Sequence, residues 1–282
     1  MKIIRNIKEM AGVAKKHRRR CESIGLVPTM GALHEGHLSL VRQSRRENVF
    51  IVVSIFVNPS QFGPKEDLKS YPRPFKNDFV SRLKEGVDII FYPEAKQMYP
   101  KGYKTYVEVK ELSDLLCGKS RPGHFKGVAT IVTKLFNIVQ PDTAYFGQKD
   151  AQQAVIIKKM VKDLNIPVEI KVMPIVRQKD GLAMSSRNAY LSAQGKKDAL
   201  VLYQSFNLAK DLIKKGVRDP HKIINSMRGL IQNNKAARIE YIAIVDSDNL
   251  KPIERIKNHC LIALAVKIGK TRLIDNMIIR KA

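Results

Sequence analysis

The sequence predicts an α/β protein, with a parallel-sheet domain over residues 1–175 and a smaller α+β domain over 176–282. Three observations carry that prediction. From residue 24 to about 172, short and almost wholly apolar runs alternate with amphipathic stretches, as strands buried on both faces alternate with covering helices. The chemistry-bearing residues lie just beyond the carboxyl ends of those runs, where ligands bind in such sheets. After about residue 175 the texture changes to polar-faced helices and then to strand-like runs separated by turns.

The expected strands of the first part are 24–28, 49–57, 87–92, 142–146 and 168–172, with helices at 37–47, 74–85, 126–139 and 150–164. Residues 28–36 supply turn residues, and His37 opens a helical pattern. Leu38, Leu40 and Val41 share one side of that helix, with Arg42, Gln43, Arg45 and Arg46 on the other. The second part reads as helices at 192–214 and 219–233, then strands at 239–246, 260–266 and 272–279. A Ser-rich connection over 173–188 joins the two parts.

Composition excludes several classes. At 282 residues and 44% hydrophobic residues the chain can bury a substantial core, and no apolar run approaches the roughly 18–20 residues that cross a bilayer. The first 20 residues are basic but lack the apolar core of a secretory signal. Cys21, Cys117 and Cys260 are odd in number and far apart, which suits a reducing cytoplasm and no zinc site. A net charge of +25 invites an RNA-binding reading. That charge is spread along the chain, its one tight cluster at 15–20 reads as a solvated helix face, and no aromatic platform accompanies it. The excess charge favours small anionic substrates instead.

The richest motif is Pro28-Thr-Met30-Gly-Ala-Leu-His34-Glu-Gly-His37-Leu, two imidazoles three residues apart where a strand gives way to a helix. An isolated His there ordinarily caps the helix. A pair beside unpaired backbone N–H groups and the positive end of the helix dipole makes an anion site. Gly36, between them, suggests close approach of backbone to ligand. Asn58 and Gln61 end the second strand with two uncharged amides among apolar neighbours, suited to hydroxyl and carboxylate groups. In Gly147-Gln-Lys149-Asp150-Ala-Gln-Gln153, Asp150 and Gln153 are spaced as a capping box. Lys149 has no structural reason to precede a helix, so a phosphate is its natural partner. Ser185, Ser186 and Arg187 place two hydroxyls and a guanidinium in one loop, again a phosphate grouping. Tyr71-Pro-Arg73, Asp78 and 121–127 are weaker signals, with Asp78 a candidate magnesium contact. Gly269-Lys270-Thr271 is not a phosphate loop, because Leu264 stands where that motif needs glycine.

Taken together, these segments resemble the pantothenate synthetase (pantoate–β-alanine ligase) family within the H-x-G-H nucleotidylyltransferases, from about residue 22 to the C-terminus. The resemblance implies a Rossmann-like nucleotide-binding domain, ATP and Mg²⁺, the substrates pantoate and β-alanine, no nucleic acid or membrane, and a cytoplasmic homodimer. By the same resemblance, His34, His37 and Lys149 are the catalytic contacts to the ATP phosphates. Met30, Gly147, Asp150, Ser185, Ser186 and Arg187 complete the ATP site. Asn58, Gln61 and Gln153 bind pantoate, with Met30 shaping that pocket, and Asp78 lies near the metal. Pro74 stands where much of the family is expected to have Thr. The rival readings are another H-x-G-H nucleotidylyltransferase with a different acceptor, and a basic RNA-binding protein.

Overall fold

The computed structural model describes residues 1–64, 66–68, 70–71 and 86–280; the helix expected at 74–85, with Asp78, lies outside them. The first part runs β1 (Lys2–Ile4), α1 (Ile7–Arg19), β2 (Ile24–Thr29), α2 (Glu35–Glu47), β3 (Phe50–Ile55) and β4 (Ile89–Phe91). It continues with α3 (His124–Val139), β5 (Thr143–Gly147), α4 (Ala151–Asp163) and β6 (Glu169–Met173). The six strands form one sheet in the order β1-β4-β3-β2-β5-β6, every neighbouring pair parallel. All six residues of β3 are buried, as a strand covered on both faces requires. One face is closed by α1, α3 and α4 through residues such as Met10, Phe136 and Ile156. The other is closed by α2 through Leu38, Leu40 and Val41, packed on Val27, Val53 and Tyr145.

The five strands expected from the sequence are present with ends shifted by a few residues. β1 was not expected. It has three residues with only Ile4 buried, and it adds itself to the sheet edge beside β4. The 15–20 cluster is the exposed end of α1, where cations complement the carboxyl end of the helix dipole.

The second part holds α5 (Ala193–Lys214), α6 (Pro220–Gln232), β7 (Ala237–Asp246), β8 (Cys260–Ile268) and β9 (Thr271–Ile279). Its three strands form an antiparallel sheet in sequence order. Alternation along β8 sends its side chains two ways. Ile262, Leu264 and Val266 join Phe206 and Met227 of the helices. Leu261 and Ala263 join the cluster around α3 and α4. The small sheet is therefore sandwiched between its own helices and the larger part. Among the described residues no helix is long and apolar enough to cross a membrane, and the three cysteines are unpaired, Cys21 exposed and the other two buried.

Candidate active site

The strand order reverses between β2 and β5: the chain builds outward through β3 and β4 on one side and through β6 on the other. At such a switch point the loops leaving the strand ends diverge and open a crevice. An open cleft lies there, with about 1280 Å³ of space between its walls that includes open solvent. Its lining brings together Met30, His34, His37, Asn58, Gln61, Gly147, Lys149, Asp150, Gln153, Ser185, Ser186 and Arg187. Every residue expected in the site from sequence is in this one cleft except Asp78, which lies outside the described residues.

The imidazole pair caps α2 and lines the cleft. α2 begins at Glu35, two residues earlier than expected, because His34 takes the N-cap position with extended backbone. His34 Nδ1 accepts from Gly36 N at 3.1 Å, and His37 Nδ1 accepts from His34 N at 3.3 Å. This reciprocal arrangement is a capping box built from imidazoles. With both Nδ1 atoms accepting, each neutral ring carries its proton on Nε2, which is left as a donor. Burial, followed by the positive charge of Lys149, pulls the His34 pKa down to about 4. Burial, followed by the proximity of His34, holds His37 well below the usual imidazole range. Both rings are thus neutral donors at pH 7. Gly36 has a structural reason of its own: a Cβ there would lie 2.9 Å from His34 Cε1 and Nδ1, so the glycine makes room for the capping ring.

The amides divide their labour. Asn58 is fully buried, and its side chain is consumed by the protein. Its Oδ1 accepts from Ser60 Oγ at 2.9 Å and Tyr99 Oη at 2.8 Å, and its Nδ2 donates to Gln61 Oε1 and Gly127 O, both at 3.0 Å. Asn58 therefore orients Gln61, whose Nε2 turns toward Met30 Sδ at 2.9 Å on the cleft wall. The main chain of Gln61 is fixed by a second set. His124 Nδ1 donates to Gln61 O at 2.8 Å while its Nε2 accepts from Arg121 Nη1 at 3.0 Å. Burial and then Arg121 bring the His124 pKa to about 4, so that ring is neutral as well. Arg121 is itself gripped by Glu66 at 2.8 and 2.5 Å. A Cβ on Gly127 would sit 2.3 Å from Ser60 O, which explains the glycine where α3 passes beneath this turn.

On the opposite wall Lys149 lies in a 3-10 turn between β5 and α4, with Nζ 3.8 Å from Asp150 Oδ1. The capping box that the spacing of Asp150 and Gln153 would allow does not form: Asp150 occupies the N-cap position but its side chain makes no cap bond, which leaves the carboxylate on the cleft. Ser185 caps its own turn by accepting from Arg187 N at 3.3 Å. Ser186 Oγ donates to Ala32 O at 2.9 Å, and Arg187 makes a two-pronged pair with Asp67 at 3.0 and 2.8 Å. Burial pushes the Asp67 carboxyl up, and the Arg187 guanidinium more than offsets this, leaving it below its ordinary value. The 184–187 segment is thus tied across the cleft to the loops after β2 and β3. Sequence reasoning missed Glu66 and Asp67, because nothing local in Lys-Glu-Asp-Leu marks a carboxylate whose partner is 55 or 120 residues away.

A switch-point crevice with an anion-binding helix start belongs to nucleotide-binding α/β proteins, and the paired imidazoles narrow the class to the H-x-G-H type. The family is shown by direct comparison. The model of the pantoate–β-alanine ligase family matches residues 2–278, and the chain belongs to that family of enzymes. It is 57% identical over 279 residues to a pantothenate synthetase of Caldicellulosiruptor saccharolyticus, covering 99% of both chains. To the pantothenate synthetase of Acetivibrio thermocellus it is 56% identical over the same length and coverage. The crystal structure of pantothenate synthetase from Thermus thermophilus superposes with a TM-score of 0.94 at 41% identity, covering 99% of this chain and 100% of that one. A pantoate–β-alanine ligase from Francisella tularensis, solved in complex with beta-gamma ATP and β-alanine, gives a TM-score of 0.80 at 37% identity, covering 99% and 97%. These matches favour neither rival reading, the different acceptor nor the RNA-binding protein.

Proposed function

We propose that this chain condenses pantoate with β-alanine at the expense of ATP. Pantoate carboxylate attacks the α-phosphorus of ATP, giving pantoyl adenylate and pyrophosphate. The β-alanine amine then attacks the acyl carbon, releasing AMP and pantothenate. The observation that carries this reading is one cleft with phosphate-type donors on one wall and buried amides on the other. His34 and His37 offer neutral Nε2–H donors at a helix start, and Lys149 adds the charge that the departing pyrophosphate needs. Ser185, Ser186 and Arg187 hold the phosphates, and Asp150 with Gly147 holds the ribose. Gln61 and Gln153 bind pantoate, with Asn58 acting through Gln61 and Met30 shaping the pocket. No protein nucleophile is needed, because catalysis consists of aligning carboxylate with phosphorus and stabilising the charge that develops there.

Among the described residues no three His, Cys, Asp or Glu side chains gather as a metal-binding group. A magnesium ion in this cleft would rest chiefly on nucleotide oxygens, as Mg²⁺ commonly does, with Asp78 its proposed protein contact. The division into a catalytic part over 1–175 and a lid over 176–282, the homodimer and a cytoplasmic location belong to the same proposal. Three unpaired cysteines suit a reducing compartment. Sedimentation of the purified protein tests the dimer.

The deciding assay is exchange of pyrophosphate into ATP without β-alanine. Exchange that requires pantoate, followed by AMP and pantothenate when β-alanine is added, is the expected result. Exchange that ignores pantoate, or none from a folded protein supplied with magnesium, refutes the choice of acceptor.

A further inference from the structure

Lys149 sits in a turn that its own sequence does not lock. Neither Gly147, which starts the turn, nor Asp150, which starts α4, makes a side-chain cap bond, and Gly147 has open space around its missing Cβ. The lock comes from β9 instead. Asn276 is buried, and both ends of its amide are used. Nδ2 donates to Gln148 O at 2.9 Å and Lys149 O at 3.0 Å, while Oδ1 accepts from Gln148 Nε2 at 3.0 Å. Its neighbour Asp275, equally buried, takes the Arg177 guanidinium in a two-pronged pair at 2.7 and 2.9 Å and accepts from Asn276 N at 2.7 Å. Arg177 also donates to Gly181 O at 3.1 Å, closing the hairpin that leads into Ser185–Arg187. Two adjacent residues of one strand thus grip both chain segments that bring cations to the cleft.

We propose that Asn276 is the positioning residue of Lys149: its amide, clasping Gln148 and Lys149 from the second sheet, sets where the ammonium stands in the cleft. The proposal rests on the reading of Lys149 as a phosphate contact. A buried amide with all its bonds made in one orientation fixes its partners in space. A side chain that must meet a reacting phosphate loses heavily when its backbone drifts, since misplacement by 1 Å costs about 10²-fold. Asn276 touches no substrate in this scheme, so its influence on catalysis must pass through Lys149.

A double-mutant cycle tests that route. Wild type, Asn276→Ala, Lys149→Ala and the double variant are compared in two readouts, pantoate-dependent pyrophosphate exchange and calorimetric binding of inorganic pyrophosphate, with thermal melts alongside. Asn276→Ala should lower the exchange kcat by roughly 10–100-fold with little change in the KM for ATP. Lys149→Ala should lower it by roughly 10²–10³-fold. In the Lys149→Ala background, removing Asn276 should cost less than about 3-fold in either readout. Losses that multiply independently overturn the proposal, as does wild-type kcat and wild-type pyrophosphate affinity in Asn276→Ala. If Asn276→Ala fails to fold, Gln148→Ala enters the cycle, since it removes just the bond that orients the Asn276 amide. Its expected loss of roughly 3–10-fold must likewise vanish without Lys149. Absence of pantoate-dependent exchange in wild type strikes the proposed reaction alone, because the cycle is still read in pyrophosphate binding.

Discussion

Asn58→Ala separates an orienting residue from a contact residue. The substitution deletes five hydrogen bonds, two at 3.0 Å donated to Gln61 Oε1 and Gly127 O, and three accepted from Ser60 Oγ at 2.9 Å, Tyr99 Oη at 2.8 Å and Ser60 N at 3.4 Å. At about 0.5–1 kcal/mol net for each, the loss is about 3–5 kcal/mol. For a chain of this size that lowers Tm by about 6–20 °C. The catalytic signature is more selective. Gln61, no longer held by its Oε1, turns freely, so the KM for pantoate should rise about 10-fold while the KM for ATP stays near wild type. Thermal melts followed by circular dichroism and initial rates against each substrate measure both effects. A melt within about 2 °C of wild type contradicts the bonding scheme. Equal increases in both KM values contradict the division of the cleft into an amide wall and a phosphate wall.

Three further outcomes follow from the same geometry. Gly36→Ala would ordinarily favour a helix by about 1 kcal/mol, yet the new Cβ meets the His34 ring at 2.9 Å. Exchange should fall by about 10-fold or more with a nearly unchanged melt, and normal exchange would show that the ring has room to move. Asp67→Asn weakens a pair that joins residues 120 apart and should cost about 1–3 kcal/mol in urea unfolding. Additivity of Asp67→Asn with Arg187→Gln would show the pair to be incidental. His34 has its folded pKa depressed from 6.5 to about 4, so between those values the unfolded chain holds a proton that the folded chain refuses. Stability is full above pH 6.5 and declines toward pH 4, with His34 contributing about 2 kcal/mol of the difference between pH 7 and pH 5. His34→Gln should flatten that slope, and an NMR midpoint near 6.5 for the free enzyme's His34 would refute the account.

What was legible in the sequence was whatever is encoded locally. β2 and β3 announce themselves by nearly continuous apolarity, and the residues following each strand are placed at the cleft by parallel topology alone. β1 was illegible because three residues with one buried side chain make no periodic signal. Asp150 and Gln153 fit the spacing of a capping box, yet none forms, so that carboxylate faces the cleft. Gly36 stood out as exceptional, but the room it makes for the His34 ring was not legible, since an imidazole acting as an N-cap is not what spacing suggests. Asn276, Glu66 and Asp67 were invisible because each acts on a partner 55 to 128 residues distant, through contacts that exist only after the chain has folded.

The choice of neutral imidazoles over a cluster of cations has a physical logic. Cations bind any polyphosphate, reactant or product, over several ångströms, whereas a neutral N–H rewards an oxygen only at the right distance and angle. Catalysis requires interactions that strengthen in the transition state, and uniform attraction to all phosphates would hold pyrophosphate after the first step. The capping geometry supplies that selectivity. Each Nδ1 is occupied by a backbone N–H, so the tautomer is set and each Nε2–H is held by the helix start. Lys149, by its proximity, helps keep His34 uncharged, and in the proposed reaction it also supplies charge for the leaving group. Removing the lysine should therefore raise the His34 pKa above about 4 in the free protein, a shift that an imidazole NMR titration of Lys149→Ala measures directly. An unchanged midpoint would mean that burial alone keeps the ring neutral and that the two groups are independent.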